Sequence, residues 1–424
     1  MKKNTRITTN KYAKLGLTFM ACLLGCAGLQ AAELTFWSWR VEAKPFYEKI
    51  AQEYKKASGD DIKFTAYKNT EYPTVLSAAL ASGGGPDIIH TRAYGGLSNL
   101  SDAGYLLPIN NKNVPNLAGF NPQVLEGARG FAAPHNKEFY GVPFATQSLG
   151  ILYNKALLAK AGLTEPKTWD EFKSTLKALK DKKITPLANG SKEAPILEQM
   201  FGVVGPNFYG GTEFFEAVRS GKKQFTDPGF VKAIEEVVAL KDFMPPNSMG
   251  IGENEARTLF SKGSAVFFLT GTWNIDTISE LNPKMELGFL PAPPITSGGK
   301  AWVSTFADGN YSINNNSKNK DAALKFLNFL ASNEYGVKFA KELRQLTAVP
   351  GVKMADPILE KVATETNKGA TPFVMLVGFR YQNPNGSVLL RDGIQKVMQG
   401  NGTPSSLAKD IQSGIATWYK PQQK

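Results

Sequence analysis

Aromatic and charged side chains lie where predicted strands of this 424-residue chain end. Trp39, Arg40 and Glu42 close one such strand, and Arg92 and Tyr94 follow another. In an open α/β sheet the loops at the carboxyl ends of the strands form the ligand crevice. A rigid aromatic ring adds apolar contact at low entropic cost, and guanidinium and carboxylate groups form directed hydrogen bonds. The pattern therefore predicts a binding site for a small ligand at these strand ends.

Several of these candidates also have a purely structural interpretation. Trp37 and Trp39 lie two residues apart and share one face of a strand, so a core role for one of them is open. Asp87 either contacts ligand or accepts from backbone amides at a strand edge. Asp308 is either an acceptor for a pair of hydroxyls or a turn carboxylate, and Gly309 beside it permits close backbone approach.

Motifs for catalysis or metal binding are weak by comparison. The two histidines, His90 and His135, are predicted in loops and lack the spacing of metal ligands. The sequence contains no Gly-x-Ser-x-Gly elbow, and Pro86 rather than Gly-Lys-Ser/Thr follows the triple glycine at 83–85. We therefore expect no catalytic residue, no metal and no cofactor. A pair of catalytic carboxylates, as in a glycosidase, stays an open alternative, because the two residues of such a pair can lie far apart in the chain.

Strands alternate with helices in two stretches of the sequence. Strands are predicted at residues 34–39, 61–67, 87–90, 265–270 and 307–314. Helices are predicted at 45–57, 72–81, 169–180, 230–241, 253–261 and 405–418, with a pair within 321–346. Such alternation predicts mainly parallel sheets with right-handed crossovers. A chain of this length holds two or three cores, so the expected fold class is α/β with two lobes.

One run, residues 140–172, combines two strands and two helix starts. Residues 142–145 and 148–153 are predicted as separate strands, the second one apolar enough for a buried crossing. Asn154 is predicted as the N-cap of one helix and Thr168 as the N-cap of the next. The run therefore predicts a passage of the chain from one sheet to another.

This run, the segment SGGGPDII at 82–89 and Gly-Thr-Trp at 271–273 together resemble the extracellular solute-binding proteins of ABC importers, family 1, the sugar-binding group. The resemblance covers nearly the whole mature chain. It implies a two-lobe periplasmic binding protein-like fold of type II, in which each lobe is a mainly parallel sheet flanked by helices. A hinge of about three crossings would join two lobes: residues 33–146 plus 307–350, and residues 147–306 plus 351–424.

The resemblance implies a substrate-binding protein that captures a mono- or oligosaccharide in its cleft and delivers it to the transmembrane subunits of a permease. The indole of Trp273 would stack on a pyranose ring, and Gln147 precedes the hinge crossing where an acid stands in maltose-binding members. Arg380 is a bidentate donor if it faces the cleft and a surface cation otherwise. The predicted ligand-binding set is Trp39, Arg40, Glu42, Asp87, Arg92, Tyr94, Gln147, Trp273, Asp308, Gly309 and Arg380.

The first 31 residues have the pattern of an export signal, with five cations before an apolar run at 15–29. We expect cleavage after Ala31 or Ala32 and a monomer in the periplasm. A lipoprotein anchored through Cys26 is the alternative, because Leu-Leu-Gly-Cys ends at that residue. Both cysteines lie in this segment, so the mature chain is expected to have no disulfide. Removal of the first 31 residues lowers the net charge of the chain from +12 to +7. The remaining charges form no basic stripe that would indicate nucleic-acid binding.

Two other functions stay open from the sequence. A secreted glycoside-processing enzyme would turn over an oligosaccharide that a binding protein only retains. A binding protein for a polyol phosphate or another small anion is suggested by Arg40, Arg92 and Arg380, and its affinity would fall steeply with added salt. The tryptophans favour a neutral sugar over an anion as the ligand.

Overall fold

The structure is a computed structural model that describes Met1, residues 31–129 and residues 138–423. These residues contain eight strands: β1 (Glu33–Ser38), β2 (Asp61–Ala66), β3 (Ile88–Arg92), β4 (Val142–Asn154), β5 (Phe267–Gly271), β6 (Leu287–Leu290), β7 (Val303–Ile313) and β8 (Ala370–Pro372). Nearly all of the predicted export signal lies outside the described residues, and so does His135.

Helices cover the sheet and form most of the second half of the chain. The described part contains α1 (Lys44–Ser58), α2 (Tyr72–Ala81), α3 (Gly95–Asp102), α4 (Pro122–Leu125), α5 (Lys155–Lys160), α6 (Trp169–Asp181), α7 (Ala194–Tyr209), α8 (Gly211–Arg219), α9 (Pro228–Ala239), α10 (Glu253–Ser261), α11 (Asn274–Leu281), α12 (Lys320–Leu330), α13 (Asn333–Leu343), α14 (Pro357–Gly369), α15 (Val374–Gly378), α16 (Gly386–Met398) and α17 (Pro404–Ala416). Short 3-10 turns occur at Pro115–Gly119, Glu126–Ala128, Leu240–Phe243, Ser248–Gly250 and Lys420–Gln422.

The local signals in the sequence account for many of these bounds. Helices α2 and α10 have the predicted limits, and the caps of α5 and α6 are confirmed. The Asn154 side chain accepts from the Leu157 N–H at 3.0 Å, and the Thr168 hydroxyl accepts from the Glu171 N–H at 3.2 Å. These caps satisfy amides that a helix start leaves unpaired.

The sheet is mixed, which corrects the expectation of mainly parallel pairing. Its order is β2-β1-β3-β7-β4-β5, with β6 also on β4 and β8 on β7. Strand β1 is parallel to β2 and β3, but β7 is antiparallel to β3 and β4, and β4 is antiparallel to β5 and β6. The reason is topological, because β4 carries the chain away from the first part of the sheet and β7 brings it back.

Strand β4 is one continuous strand rather than the two that were predicted. Its first half pairs with β7, with irregular register near Pro143 and Ala145, and its second half lies between β5 and β6. Strand β7 begins four residues before the predicted strand at 307–314 and is continuous through Asp308, for which a turn was one of the two interpretations. Ladder pairing on both sides extends these strands past the polar residues that indicated loops.

Two large apolar clusters account for most of the interior. The first core is built from residues between Leu34 and Ala145 and between Tyr311 and Val349. The second core is built from residues between Leu149 and Ala292 and between Phe373 and Ile415, and a smaller cluster packs beside it. The two cores form the two lobes of the molecule, and β4 and β7 run between them. No described helix has the length and apolar character needed to cross a membrane.

Candidate functional site

A cavity of about 430 Å³ lies where the two cores meet. Arg92 and Ala93 reach it from the end of β3, and three residues of β7 form its floor. Residues of the second core form the other wall. The complete lining is Arg92, Ala93, Pro195, Glu198, Gln199, Trp273, Phe306, Ala307, Asp308, Phe373, Leu376, Arg380 and Tyr381.

Asp308 is held on the first-core side by two guanidinium groups. Its Oδ2 lies 3.6 Å from Arg40 Nη1, and its Oδ1 lies 3.8 Å from Arg92 Nη1. The pairing of β3 with β7 places Arg92 opposite Gly309, which brings the two charged side chains to one end of the sheet. The Arg92 guanidinium also lies over the Trp39 indole, 3.8 Å from the ring centroid. This cation–π contact covers Trp39, so that Asp308 and Arg92 are the groups that face the cavity.

Trp273 is fixed by the residues around it. A Cβ on Gly271 would lie 1.9 Å from its Cζ3, so only glycine lets the indole fold back over the end of β5. Trp273 Nε1 donates to Glu253 Oε1 at 3.0 Å, and the Phe306 ring lies 6.4 Å away, centroid to centroid. The polar edge of the indole is therefore already satisfied, and the half-buried ring offers apolar contact to the cavity.

Glu198, on α7, is the other carboxylate of the lining. It is 4% exposed, and its Oε1 has no hydrogen-bond partner among the described residues. Burial raises the pKa of Glu198, and the positive charge of Arg380, the neighbouring Ser387 hydroxyl and the positive charge of Arg391 oppose that rise. Next to it Gln199 Oε1 accepts from the Thr270 hydroxyl at 3.3 Å, which ties α7 to β5.

Residues 38–337 match the family model of bacterial extracellular solute-binding proteins. The chain belongs to this family. The matched stretch includes the cavity residues Arg92, Glu198, Trp273 and Asp308, whereas Arg380 and Tyr381 lie beyond it.

Curated relatives are similar at low identity. The maltotriose-binding protein of Pyrococcus abyssi is 25% identical over 307 residues, which cover 69% of this chain and 60% of that protein. The multiple sugar-binding protein of Streptococcus mutans is 24% identical over 339 residues, or 76% of each chain. The chain thus spans three-fifths to three-quarters of the length of these two relatives.

Solved structures share the fold over nearly the whole chain. A chitin oligosaccharide binding protein matches with a TM-score of 0.74 and 24% identity, covering 93% of this chain and 98% of that one. The apo form of RafE from Streptococcus pneumoniae matches with a TM-score of 0.75 and 20% identity over the same shares. These matches confirm the predicted two-lobe α/β fold.

Four of the predicted ligand contacts line the cavity together: Arg92, Trp273, Asp308 and Arg380. They come from the ends of β3 and β5, from β7 and from the segment after α15. The structure thus brings together, from both cores, residues that lie nearly 300 positions apart in the sequence. Whether they bind ligand stays a prediction.

Asp87 lies away from the cavity. Its carboxylate accepts hydrogen bonds near a strand edge, as the structural interpretation of the sequence predicts. One carboxylate oxygen accepts from the Thr35 amide at 2.8 Å and the Thr35 hydroxyl at 2.9 Å. The other accepts from the Ser317 hydroxyl at 2.6 Å. Asp87 precedes β3, whereas Arg92 ends it, so the two lie at opposite ends of the strand. The carboxylate joins β1 to the chain after β7 and does not line the cavity.

Three predicted contacts, Trp39, Arg40 and Glu42, lie close to Asp308 and Arg92 but outside the cavity lining. Trp39 is 8% exposed and covered by Arg92, and Arg40 is buried with its Nη2 donating to Gln345 Oε1 at 3.0 Å. Glu42 is largely exposed, and its carboxylate lies 3.4 Å from Arg40 Nε. These residues do not line the cavity, and Arg40 acts on it through the charge of Asp308.

Gln147 and Gly309 support the site from the hinge strands. Gln147 is buried and accepts from the Thr272 hydroxyl at 2.8 Å, which fixes the turn before Trp273. A Cβ on Gly309 would lie 2.4 Å from the Thr91 carbonyl oxygen, so glycine is needed for the close pairing of β7 with β3. Neither residue lines the cavity.

Tyr94 faces a second, smaller cavity. Its hydroxyl accepts from the Ala307 N–H at 3.0 Å, and its backbone has a positive φ of 57°. The second cavity, of about 230 Å³, shares Phe306 and Ala307 with the first. Tyr94 therefore lies between the lobes, beside the main cavity.

The sequence analysis missed several residues of the lining. Glu198 and Gln199 lie within α7, and no local pattern distinguishes them from surface residues of an amphipathic helix. Phe306 and Tyr381 are neighbours of the predicted Asp308 and Arg380, so their aromatic side chains next to predicted contacts were an available signal. Phe373 follows the short strand β8, which was not predicted.

His90 is a core residue of β3, in agreement with the strand predicted at 87–90, and its assignment to a loop was wrong. It is fully buried, with Nδ1 2.5 Å from the Ser38 hydroxyl and Nε2 3.4 Å from the Tyr47 hydroxyl. Burial lowers its pKa, and the charges of Arg40 and Arg92 lower it further. Within the described ranges, no group of three histidine, cysteine or acidic side chains is arranged to hold a metal ion.

Proposed function

We propose that this protein is the substrate-binding protein of an ABC importer, and that it captures a mono- or oligosaccharide between its lobes. The observation that carries the proposal is the cavity lined from two cores by a fixed indole, Trp273, and by the acidic residues Asp308 and Glu198. An aromatic ring combined with directed acceptors suits the apolar ring faces and the hydroxyl edges of a saccharide. The names of the relatives, which bind maltotriose and multiple sugars, support the same class of ligand.

The lobes are those expected from the sequence, residues 33–146 plus 307–350 and residues 147–306 plus 351–424. The two apolar cores support these limits, because the residues that build each core fall almost entirely within one of the two lobes. Strands β4 and β7 are two of the crossings, and the chain crosses again near Pro350. A hinge of several strands permits bending and limits sliding.

Binding shifts the population of the molecule from open to closed. The contacts of both lobes reach one ligand together only when the lobes meet, so the ligand favours closure by its differential affinity for the closed state. If the open state dominates about 99 to 1, reversing that ratio takes about 5.5 kcal/mol. Stacking contributes about 1 kcal/mol. Hydrogen bonds to charged groups contribute about 1.5 to 3 kcal/mol each. Three or four such contacts are therefore enough.

The cavity favours a short, neutral ligand. Its volume of about 430 Å³ is near the lower end of the roughly 300 to 1,000 Å³ of small-molecule pockets. Arg92 and Arg380 are the observations that favour an anion, the second candidate. Their charges are offset by Asp308 at 3.8 Å from Arg92 and by Glu198, on which Arg380 acts. We therefore assign a neutral saccharide.

The proposal extends to location and partners. The protein is exported by its first 31 residues and acts in the periplasm, or at the membrane through lipid on Cys26. It works as a monomer, binds no nucleic acid or cofactor and catalyses no reaction. The closed form presents both lobe surfaces in register to the transmembrane subunits of the permease.

A thermal-shift screen over neutral mono- and oligosaccharides tests the proposal. We expect the melting temperature of the purified mature chain to rise with one group of saccharides, because a ligand that binds only the folded state stabilises it. Chromatography of the same mixtures is expected to show unchanged saccharides. Appearance of shorter products would instead establish the glycoside-processing enzyme. A response to sugar phosphates alone would establish the anion-binding alternative.

A further inference from the structure

The indole of Trp273 is held at its polar edge by a residue that lies outside the cavity. Trp273 lines the cavity, whereas Glu253, the first residue of α10, does not. The indole Nε1–H donates to Glu253 Oε1 at 3.0 Å. Because an indole has this one polar hydrogen and accepts none, the carboxylate takes up its whole hydrogen-bonding capacity. Trp273 is therefore left to contact a ligand with its ring.

The other edge of the same ring lies against Gly271. A Cβ on Gly271 would lie 1.9 Å from Trp273 Cζ3, 2.1 Å from Cη2 and 2.3 Å from Cε3, all atoms of the six-membered ring. A tryptophan side chain turns about only two bonds, so a contact at each edge fixes both of them. An indole that is fixed before the ligand arrives avoids the entropic cost of ordering a side chain on binding.

Glu253 is itself held in place by a hydrogen-bond network. Its Oε1 also accepts from Asn274 Nδ2 at 3.2 Å, and Arg257 Nη2 lies 4.0 Å from the same oxygen. Asn274 is fully buried; its Nδ2 donates to the Thr270 hydroxyl at 2.7 Å, and its Oδ1 accepts from Arg257 Nε at 2.5 Å. The carboxylate is thereby tied to α10, to α11 and to the end of β5, the elements around the indole.

Glu255, in the same turn of α10, has a different partner. Its carboxylate accepts from the Gly252 N–H at 3.1 Å and so satisfies an amide at the start of the helix. The two acids thus have separate tasks: Glu255 bonds the start of α10, and Glu253 bonds the indole. This makes Glu255 a matched control for Glu253.

We propose that Glu253 is a positioning residue of the binding site, which acts through Trp273 by holding the indole in the orientation that its ligand contact requires. This role rests on the proposed saccharide-binding function and adds to it a residue that the ligand does not touch. Loss of Glu253 leaves the cavity lining unchanged in composition and frees the ring to turn.

Titration calorimetry with the best saccharide of the thermal-shift screen tests the role. Glu253→Met keeps the length and removes both acceptors, so binding should weaken about tenfold, because the freed indole must then be ordered on binding. Glu253→Gln keeps an acceptor oxygen and should stay within about threefold of the wild type. The control, Glu255→Met, should stay within about twofold, since it changes a side chain that contacts neither the indole nor the cavity.

Two further measurements separate positioning from a general structural effect. In a Trp273→Ala background, Glu253→Met should change the affinity by less than about twofold, because a residue that acts through the indole has nothing left to act on. Near-ultraviolet circular dichroism of the unliganded protein is the second measurement. The difference between wild type and Trp273→Ala gives the band of the fixed indole, which should shrink in Glu253→Met and persist in Glu253→Gln. Melting temperatures verify that each variant is folded.

A loss of affinity in Glu253→Met that requires Trp273, that glutamine largely restores and that accompanies a smaller indole band supports the positioning role. Equal losses with and without Trp273, a Glu253→Gln variant as weak as Glu253→Met, or wild-type affinity in Glu253→Met overturns it, and so does an indole band that persists in Glu253→Met. In these cases the wild type still binds its saccharide, so the proposed function stands. A wild type that binds no saccharide of the screen overturns the proposed function, and the positioning role with it.

Discussion

Gly95 lies directly against the ring of Tyr381 across the boundary between the lobes. A Cβ on Gly95 would lie 2.1 Å from Tyr381 Cγ and 2.3 Å from its Cβ. Gly95 begins α3, beside the first core, and Tyr381 follows α15 of the second core and lines the main cavity. Around them Tyr94, Ala307 and partly buried apolar residues of both lobes form a small cluster. The fit of the lobes at this point leaves no space for a methyl group.

We therefore predict that Gly95→Ala weakens ligand binding by opposing closure. The backbone of Gly95 has an ordinary φ, so alanine fits the open lobe without strain. Overpacking typically costs about 1 to 3 kcal/mol, which corresponds to an affinity lower by about 10- to 100-fold. Titration calorimetry measures the affinity, and the melting temperature of the unliganded variant should stay close to that of the wild type.

Tyr381→Ala in the Gly95→Ala background is expected to restore part of the affinity, because it removes the atoms that the new methyl group meets. Gly84→Ala is the matched control, since a Cβ there meets nothing closer than 3.6 Å. Wild-type affinity in Gly95→Ala would show that the contact plays no part in binding.

Trp273→Ala should lower saccharide affinity by about 10- to 100-fold, since the fixed indole offers a large apolar surface whose stacking adds about 1 kcal/mol beyond burial. Trp302→Ala is the control, because Trp302 is partly exposed, packs near Gly211 and lies outside the cavity. Calorimetry with the best saccharide of the screen compares the two. Equal affinities in both variants would rule out a role for the Trp273 indole.

Glu198→Gln is predicted to stabilise the unliganded protein at neutral pH. Burial raises the folded-state pKa of Glu198, so ionisation favours the unfolded state as pH rises through the ordinary value and up to the raised one. Glu198→Gln has no ionisable group at this position, so the free-energy cost of ionising a buried carboxyl is absent. Its melting temperature should exceed that of the wild type at about pH 8 and approach it near pH 4, below the ordinary glutamate pKa of about 4.3.

Glu236→Gln should behave in the opposite way. Burial tends to raise the pKa of Glu236, but the hydrogen bond from Trp169 and the nearby Lys232 and Lys173 lower it on balance. A lowered pKa stabilises the fold above the ordinary value, and this stability is lost as pH falls through the folded-state pKa. Calorimetric melting of both variants from pH 4 to 8 tests the pair. A destabilised Glu198→Gln at pH 8 would contradict the raised pKa of Glu198.

Asp308→Asn should lower both stability and affinity. It leaves the buried guanidinium of Arg40 with the exposed Glu42, at 3.4 Å, as its ion-pair partner. Breaking such a pair, in which Arg40 is buried, costs about 3 kcal/mol of unfolding free energy. Urea unfolding measures this change. Asp181→Asn, in an exposed pair with Lys177, is the control and should change stability by less than about 1 kcal/mol. Equal changes in the two variants would refute the structural role of Asp308.

Much of the fold follows from local signals in the sequence. Asn154 and Thr168 mark helix starts because their side chains can only satisfy amides that follow them closely. The position of Trp273 was implied by the resemblance of Gly-Thr-Trp at 271–273 to the family, and the structure adds that Gly271 leaves room for the indole. The direction of strand pairing could not be predicted in this way, since it depends on how β7 returns beside β4 after more than a hundred residues.

The site was only partly predictable for a similar reason. Trp39 has the type and position of a ligand contact, but Arg92 covers it, and only the pairing of distant strands places that guanidinium there. Asp87 was ambiguous because Thr35 and Ser317, its partners, are far away in the sequence. Glu198 gave no signal because burial within a helix depends on what packs over that helix.

Small-angle X-ray scattering of the mature chain, with and without a saturating saccharide from the screen, tests the central claim most directly. If a saccharide is held between two closing lobes, the radius of gyration should fall on saturation, and Gly95→Ala should reduce that change. Superimposable scattering curves at a ligand concentration that calorimetry shows to be saturating would contradict closure around the ligand.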